Sequence, residues 1–215
     1  MGGLDHFLSQ SLESELKKNL GKEVIRKIEK RLFEKHGLSF TQSIKEFQKL
    51  DSVLREFFGA GADGIEEKCF KNICSLKNNI DNNKKRTKST KTESTKWIII
   101  KDPVLTESIL DVVGDSDKKR IFESVMDKSK TVYDIISECN IPQTSGYRKI
   151  NSLIKNGLLS ISGHIETHDG KKVNKYKSIF QNMRINIIKN EITISIQLNG
   201  RNVTDSSILL AMTEL

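Results

Sequence analysis

The stretch QTSGYRKIN, residues 143–151, places seven polar side chains in nine positions: Gln143, Thr144, Ser145, Tyr147, Arg148, Lys149 and Asn151. Amides, hydroxyls and a guanidinium are the groups that hydrogen-bond base edges and phosphates. A solvated helix face carries similar groups, so the set acquires meaning only from its surroundings. About twenty residues further on, Lys171, Lys172 and Lys175 follow a His-Asp-Gly turn. From Gln143 to Ser178 there are seven basic and two acidic residues, net +5, whereas Asp102 to Pro142 holds five and nine, net −4. Cations concentrated in this way suit a polyanion, because each neutralised phosphate releases counterions.

The remaining reactive side chains make poorer sites. His164, Glu166 and His168 alternate and would share one face of a strand. They could hold zinc, but an ordinary polar strand face accounts for them better. The same histidines would make nucleic-acid binding pH-dependent. Cys69 and Cys74 lie five apart with no nearby His, outside usual zinc spacing. Together with Cys139 they read as reduced, buried thiols. His36 sits at a helix end, where a cation is favourable. The run GAGADG, residues 59–64, has a phosphate loop's glycines but no G-K-[ST], and it follows a helix instead of a strand. It reads as a loop or tight turn. No Ser-His-Asp order with supporting motifs is present. The expectation is a binding protein, not an enzyme, with no cofactor and no metal.

The polar set needs a frame. Leu105, Ile109, Val112 and Val113 suit a short helix, and Asp115 or Ser116 can cap the next, which carries Ile121, Phe122, Val125 and Met126. Thr131 with Asp134 forms a near capping box for a helix whose Val132, Ile135, Ile136 and Cys139 face inward. Asn140 and Ile141 make a turn. Pro142 then opens a helix to about Asn156, with Ile150, Leu153 and Ile154 inward and Gly157 as its C-cap. Leu158–Thr167 and Lys172–Phe180 read as strands joined by an Asp-Gly turn, with Lys171, Lys172 and Lys175 at its tip. This order is that of a helix-turn-helix followed by a wing.

The segment IPQTSGYRKINSLIKNGLL, residues 141–159, resembles the recognition helix and following strand of archaeal ArsR-like winged-helix transcriptional regulators. The resemblance covers roughly residues 102–198. It implies that Gln143, Thr144, Ser145, Tyr147 and Arg148 read DNA, that Lys171 and Lys172 stand at the wing tip, and that the protein acts as a homodimer on two half-sites. Metal-sensing members carry a C-x-C motif at the helix-turn-helix. Here only Cys139 is present, so metal sensing does not carry over. The N-terminal helices weakly resemble domains that precede such modules in thaumarchaeal regulators.

The other segments frame this module. Across 215 residues the formal net charge is +8 and the pI near 9.3, which favours an anionic partner. Apolar residues at 36 % and charged residues at 30 % permit packed cores beside some solvated chain. Aromatics at 6 %, mostly at helical core spacing, argue against sequence-specific binding of single-stranded RNA. Leu12 to Phe33 recur on one helical face that Gly21 can interrupt, with Gly37 as C-cap. A second helix is expected over 42–58 and a third over 65–76. KKRTKSTKTESTK, residues 84–96, reads as an extended basic linker. Met183, Ile185 and Ile187, then Ile192, Ile194, Ile196 and Leu198, form a second hairpin with one apolar face. That face needs cover from the winged helix, the N-terminal bundle, Ile98–Ile100 or another protomer. Asp205 can cap a last short helix.

The expected architecture is α+β: a small helical sensing or assembly domain (1–80), a basic disordered linker (81–101), a winged helix-turn-helix with an extra β-hairpin (102–200) and a tail with a short helix (201–215). Its partner is double-stranded DNA, read by Arg148 and Gln143 with Tyr147, Lys149 and Asn151 on base or backbone. The N-terminal part would take an effector or protein partner. No apolar run approaches the ~20 residues that span a bilayer, no secretory leader is evident, and His6 replaces the Ser or Thr of a myristoylation signal. A cytoplasmic protein without a membrane partner is expected. The competing reading is a winged-helix adaptor for other proteins.

Overall fold

The computed structural model describes residues 3–77, 96–198 and 206–214, which fold as α+β, with ten helices and two antiparallel sheets. The basic linker up to residue 95 and the expected cap Asp205 lie outside them.

Five helices open the chain: α1 (Gly3–Leu20), α2 (Lys22–His36), α3 (Phe40–Lys45), α4 (Phe47–Phe58) and α5 (Gly61–Ile73). Three were expected. Gly21, at φ +76°, breaks the first periodic run into α1 and α2, and Glu46 divides the second. Residues 59–64 are not all loop: only Gly59 and Ala60 turn, and α5 begins at Gly61. Gly37 does close α2 in a left-handed conformation. Phe33 points outward, 69 % exposed, because Ile25, Ile28 and Leu32 already fill the buried stripe one residue away.

The third expected helix ends early, and residues 74–77 form β1 (Cys74–Lys77). The last residues assigned to the linker form β2 (Lys96–Ile100), which pairs antiparallel with β1. The second hairpin, β6 (Phe180–Ile188) and β7 (Glu191–Leu198), joins the other side of β2, giving the order β1-β2-β7-β6. Ile98 stands opposite Ile196 and Ile100 opposite Ile194, so their side chains share one face. All four are buried in the same cluster as Cys74 and Leu198. The apolar hairpin is thus completed by Ile98–Ile100 within the chain. On the other face Arg184 stacks 4.3 Å from the Trp97 ring.

Helices α6 (Pro103–Gly114), α7 (Ser116–Ser124), α8 (Val132–Glu138) and α9 (Gln143–Lys155) follow, and α7 and α8 carry the expected caps. Asp115 accepts from the amides of Asp117 and Lys118, and Thr131 with Asp134 makes a capping box. The two-residue strand β3 (Lys130–Thr131) joins a hairpin of β4 (Leu159–Glu166) and β5 (Lys172–Ser178) in the order β3-β5-β4.

The last helix, α10 (Ser207–Glu214), is tied to the first. Asp5, itself buried, accepts from the Ser207 amide at 3.0 Å and from the Ser206 and Ser207 hydroxyls. The next residue, His6, donates from Nε2 to the carbonyl of Lys155 at the end of α9, 3.1 Å away. Gly157, at φ +72°, lets α9 end against α1: a Cβ there would lie 2.6 Å from the Phe7 amide nitrogen. Buried side chains from Leu4 to Leu209 form one cluster.

Candidate nucleic-acid interface

Helix α9 is set by its buried stripe and by two fixed ends. Ile150 and Leu153 are buried, and Gly146 meets α8 so closely that a Cβ would lie 2.7 Å from Ile136 Cγ1. The turn before α9 is stiffened by Asn140 at φ +51° and by the Ile141 amide, which donates to the Ile136 carbonyl at 3.2 Å. Arg120 of α7 donates to the Cys139 carbonyl at 3.0 Å. Helices α7 and α8 therefore hold the start of α9, while its outer face stays open.

That face carries most of the expected set. Gln143, Thr144, Arg148 and Asn151 are exposed, Tyr147 is 48 % exposed and Ser145 is half-buried. Thr144, Tyr147, Arg148 and Asn151 fall at three- and four-residue spacing and share one stripe. Arg148 has no hydrogen-bond or ion-pair partner among the described residues.

Lys149 differs. Its Nζ donates to both oxygens of Asp115, each at 2.6 Å, and lies 3.1 Å from Asp117. With 14 % of its side chain exposed, it fastens α9 to the N-terminus of α7 and does not face outward. The Lys149 hydrogen bond is the main reason the Asp115 carboxyl lies below its ordinary range, and Asp115 in turn holds Lys149 up. Lys149 is a positioning residue for the stripe, one step round the helix from Arg148.

The hairpin separates the three wing lysines. Gly170, at φ +72°, closes its tip: the Gly170 amide donates to the Thr167 carbonyl and the Thr167 amide to that of Lys171. Lys171 and Lys172 are exposed there. Lys175 is not at the tip. It is half-buried, paired with Gly163 and Thr131, and the two-residue alternation of a strand turns it to the face opposite Lys172. His164 and Glu166 face Asn174 and Lys172 across the hairpin, while His168 lies in the turn. No group of three or more metal-ligating side chains converges among the described residues.

Sequence reasoning missed part of this surface. A cleft of about 260 Å³ opens between α8 and the first turns of α9, lined by Tyr133, Ser137 and Asn140 as well as Gln143 and Tyr147. Tyr133 is 69 % exposed. The spacing of Tyr133 and Ser137, four apart on α8, was the available signal. Elsewhere the three cysteines are buried and free, with burial holding Cys69 up to about 11 and Cys74 up to about 12. Among the described residues no helix is long and apolar enough to cross a membrane.

Comparison with protein-family models, curated proteins and solved structures finds no match to this chain.

Proposed function

We propose that this chain is a DNA-binding transcription regulator built on a winged helix-turn-helix. Helix α9 lies in the major groove, Arg148 and Gln143 read base edges, and Lys171 and Lys172 hold phosphates from the wing. The observation that carries the reading is the division of labour on α9: Lys149 is bound to Asp115 and Asp117, while Arg148 beside it has no partner among the described residues. A guanidinium held on a fixed helix and left free suits bidentate recognition of a base or phosphate. The order β3-β5-β4 beside that helix is the arrangement a wing requires, and the resemblance to archaeal ArsR-like regulators supports a homodimer on two half-sites. No enzymatic step enters this reading.

A second reading, a winged-helix adaptor for proteins, is favoured by the tip of the other hairpin, where Ile187 and Ile188 are 70 % and 69 % exposed. Selection of the full chain on a randomised duplex pool, repeated across a salt series, separates the two. A recovered motif with a steep salt slope supports the regulator, and a two-fold motif supports the dimer. Binding without any enriched motif favours the adaptor.

A further inference from the structure

A part-open cleft of about 210 Å³ lies between α4, α5 and α10, far along the chain from the α9 surface. Asp51 and Arg55 enter it from α4, Asp63 and Glu66 from α5, and Ser207, Leu210 and Ala211 from α10. The charges do not balance. Arg55 bridges Asp51 at 2.7 Å and Asp63 at 2.6 Å. Glu66 is the third carboxyl, 2 % exposed, and its Oε1 receives no hydrogen bond from an N–H or hydroxyl donor among the described residues. A buried polar atom without a partner is costly, and native proteins rarely retain one without a use. Here it borders open space inside a chain of formal net charge +8, where a surplus of carboxylates is unexpected.

The groups indicate the missing partner. No set of metal ligands converges on one point among the described residues, so the site does not suit a bare metal ion. A hydrogen-bonding cation can bridge carboxylates that are spread apart. Phe47, Leu210 and Ala211 supply apolar wall beside the polar Gln48 and Ser207. The volume corresponds to about seven waters at ~30 Å³ each, which limits the occupant to a short chain. We propose that this cavity binds a small organic cation, its ammonium or amidinium group on Glu66 and Asp51 and its apolar body against Phe47, Leu210 and Ala211. The proposal stands whether or not the chain binds DNA.

The electrostatics set the conditions. Burial first, then the neighbouring charge of Asp51 and the hydrogen bond that the protonated Glu66 shares with it, holds Glu66 up at about 8. Asp63 adds to this and Arg55 opposes it, and α10 contributes no charged group to the lining. An ammonium ion finds its partner only once Glu66 is ionised, so binding tightens above pH 8 while the amine remains charged.

The test is the melting temperature of the full chain with butylamine or 1,4-diaminobutane, at pH 6 and pH 8.5. Sodium chloride at equal ionic strength and 1-butanol are the controls. The expected result is a saturable rise of about 3 °C at ten times Kd, larger at pH 8.5. It is absent with 1-butanol and lost in Glu66→Gln and in Ala211→Phe, which fills the cavity from α10. Glu13→Gln, a carboxyl on α1, retains it. The proposal is overturned if no amine exceeds the salt control at either pH, or if the rise survives both Glu66→Gln and Ala211→Phe.

Discussion

Two regions of this molecule hold unmatched charge, of opposite sign and in opposite settings. On α9 and the β4–β5 tip, Arg148, Lys171 and Lys172 are exposed and form no ion pair among the described residues. Under α10, Glu66 is buried without a cation of its own. An exposed cation is solvated and costs little to leave unpaired, so it remains available for a ligand at any ordinary pH. A buried carboxyl cannot do this: it holds its proton until the pH rises or a cation arrives. The first region is therefore set to respond to salt, and the second to pH. Helix α1 touches the frame of both, with Asp5 on α10 and His6 on α9.

The largest expected effect breaks the joint between the regions. Gly157→Ala places a Cβ in a left-handed conformation and 2.6 Å from the α1 backbone, where no side-chain rotation relieves it. A loss of about 2–4 kcal/mol is expected from strain and overpacking together, read as a drop in the urea midpoint. An unchanged midpoint would mean that α1 does not press on the end of α9.

Next comes Glu66. Its native pKa is raised above the unfolded value, so the native state binds more protons than the unfolded one between about pH 4.5 and about 8. Stability is complete below this window and is lost as pH rises through it, by on the order of a few kcal/mol at ~1.4 kcal/mol per unit. Glu66→Gln removes the titration. Urea midpoints at pH 5 and pH 9 should therefore lie closer together in the variant, which becomes the more stable form at pH 9. A wild-type midpoint that does not fall with pH would show that Glu66 ionises freely.

The contrast also separates what local sequence can reveal from what it cannot. Helix ends on the α9 side were legible because their determinants lie within four residues: Thr131 with Asp134, Asp115 with its own next turn, Gly157 after Asn156. The polar stripe was legible for the same reason. Lys149 was not, because Asp115 reaches it from 34 residues away and nothing local distinguishes it from Arg148. Lys175 was misplaced because three lysines close in sequence were assigned to one tip, when strand alternation divides them. The acidic cavity went unseen for a stronger reason. Glu66 occupies the inward spacing of α5, with Ala62, Cys69, Phe70 and Ile73, but a Glu in that pattern reads as an interruption until Asp51 arrives beside it from another helix. Residues 96–100 were drawn into the linker by the basic run before them, although the Ile98–Ile100 triplet was already a candidate cover for the hairpin.

Within the α9 region the pair of adjacent cations sharpens the comparison. Arg148→Ala should cost about 1–3 kcal/mol in affinity for a selected duplex and relax preference at one base position, with the melting temperature unchanged. Lys149→Ala should lower the melting temperature, since Asp115 and Asp117 lose their shared cation. It should weaken binding only by loosening α9, without changing the preferred sequence. Competition binding on single-base operator variants, paired with thermal melts, distinguishes the two. If Lys149→Ala shifts base preference while stability holds, the division of roles on α9 is wrong.

The smallest effect is the most direct measure of how exposed charge behaves here. Each phosphate neutralised by a lysine adds roughly 0.9 to the slope of log affinity against log salt. Lys171→Ala with Lys172→Ala should flatten that slope by about two and leave the preferred sequence intact, because both side chains stand at the hairpin tip away from the α9 stripe. Lys175→Ala serves as the internal comparison. It lies on the opposite face of β5 and half-buried, so it should alter the slope less than either tip lysine. Equal slopes for all three would mean that the hairpin lies flat on the polyanion and does not touch it tip first.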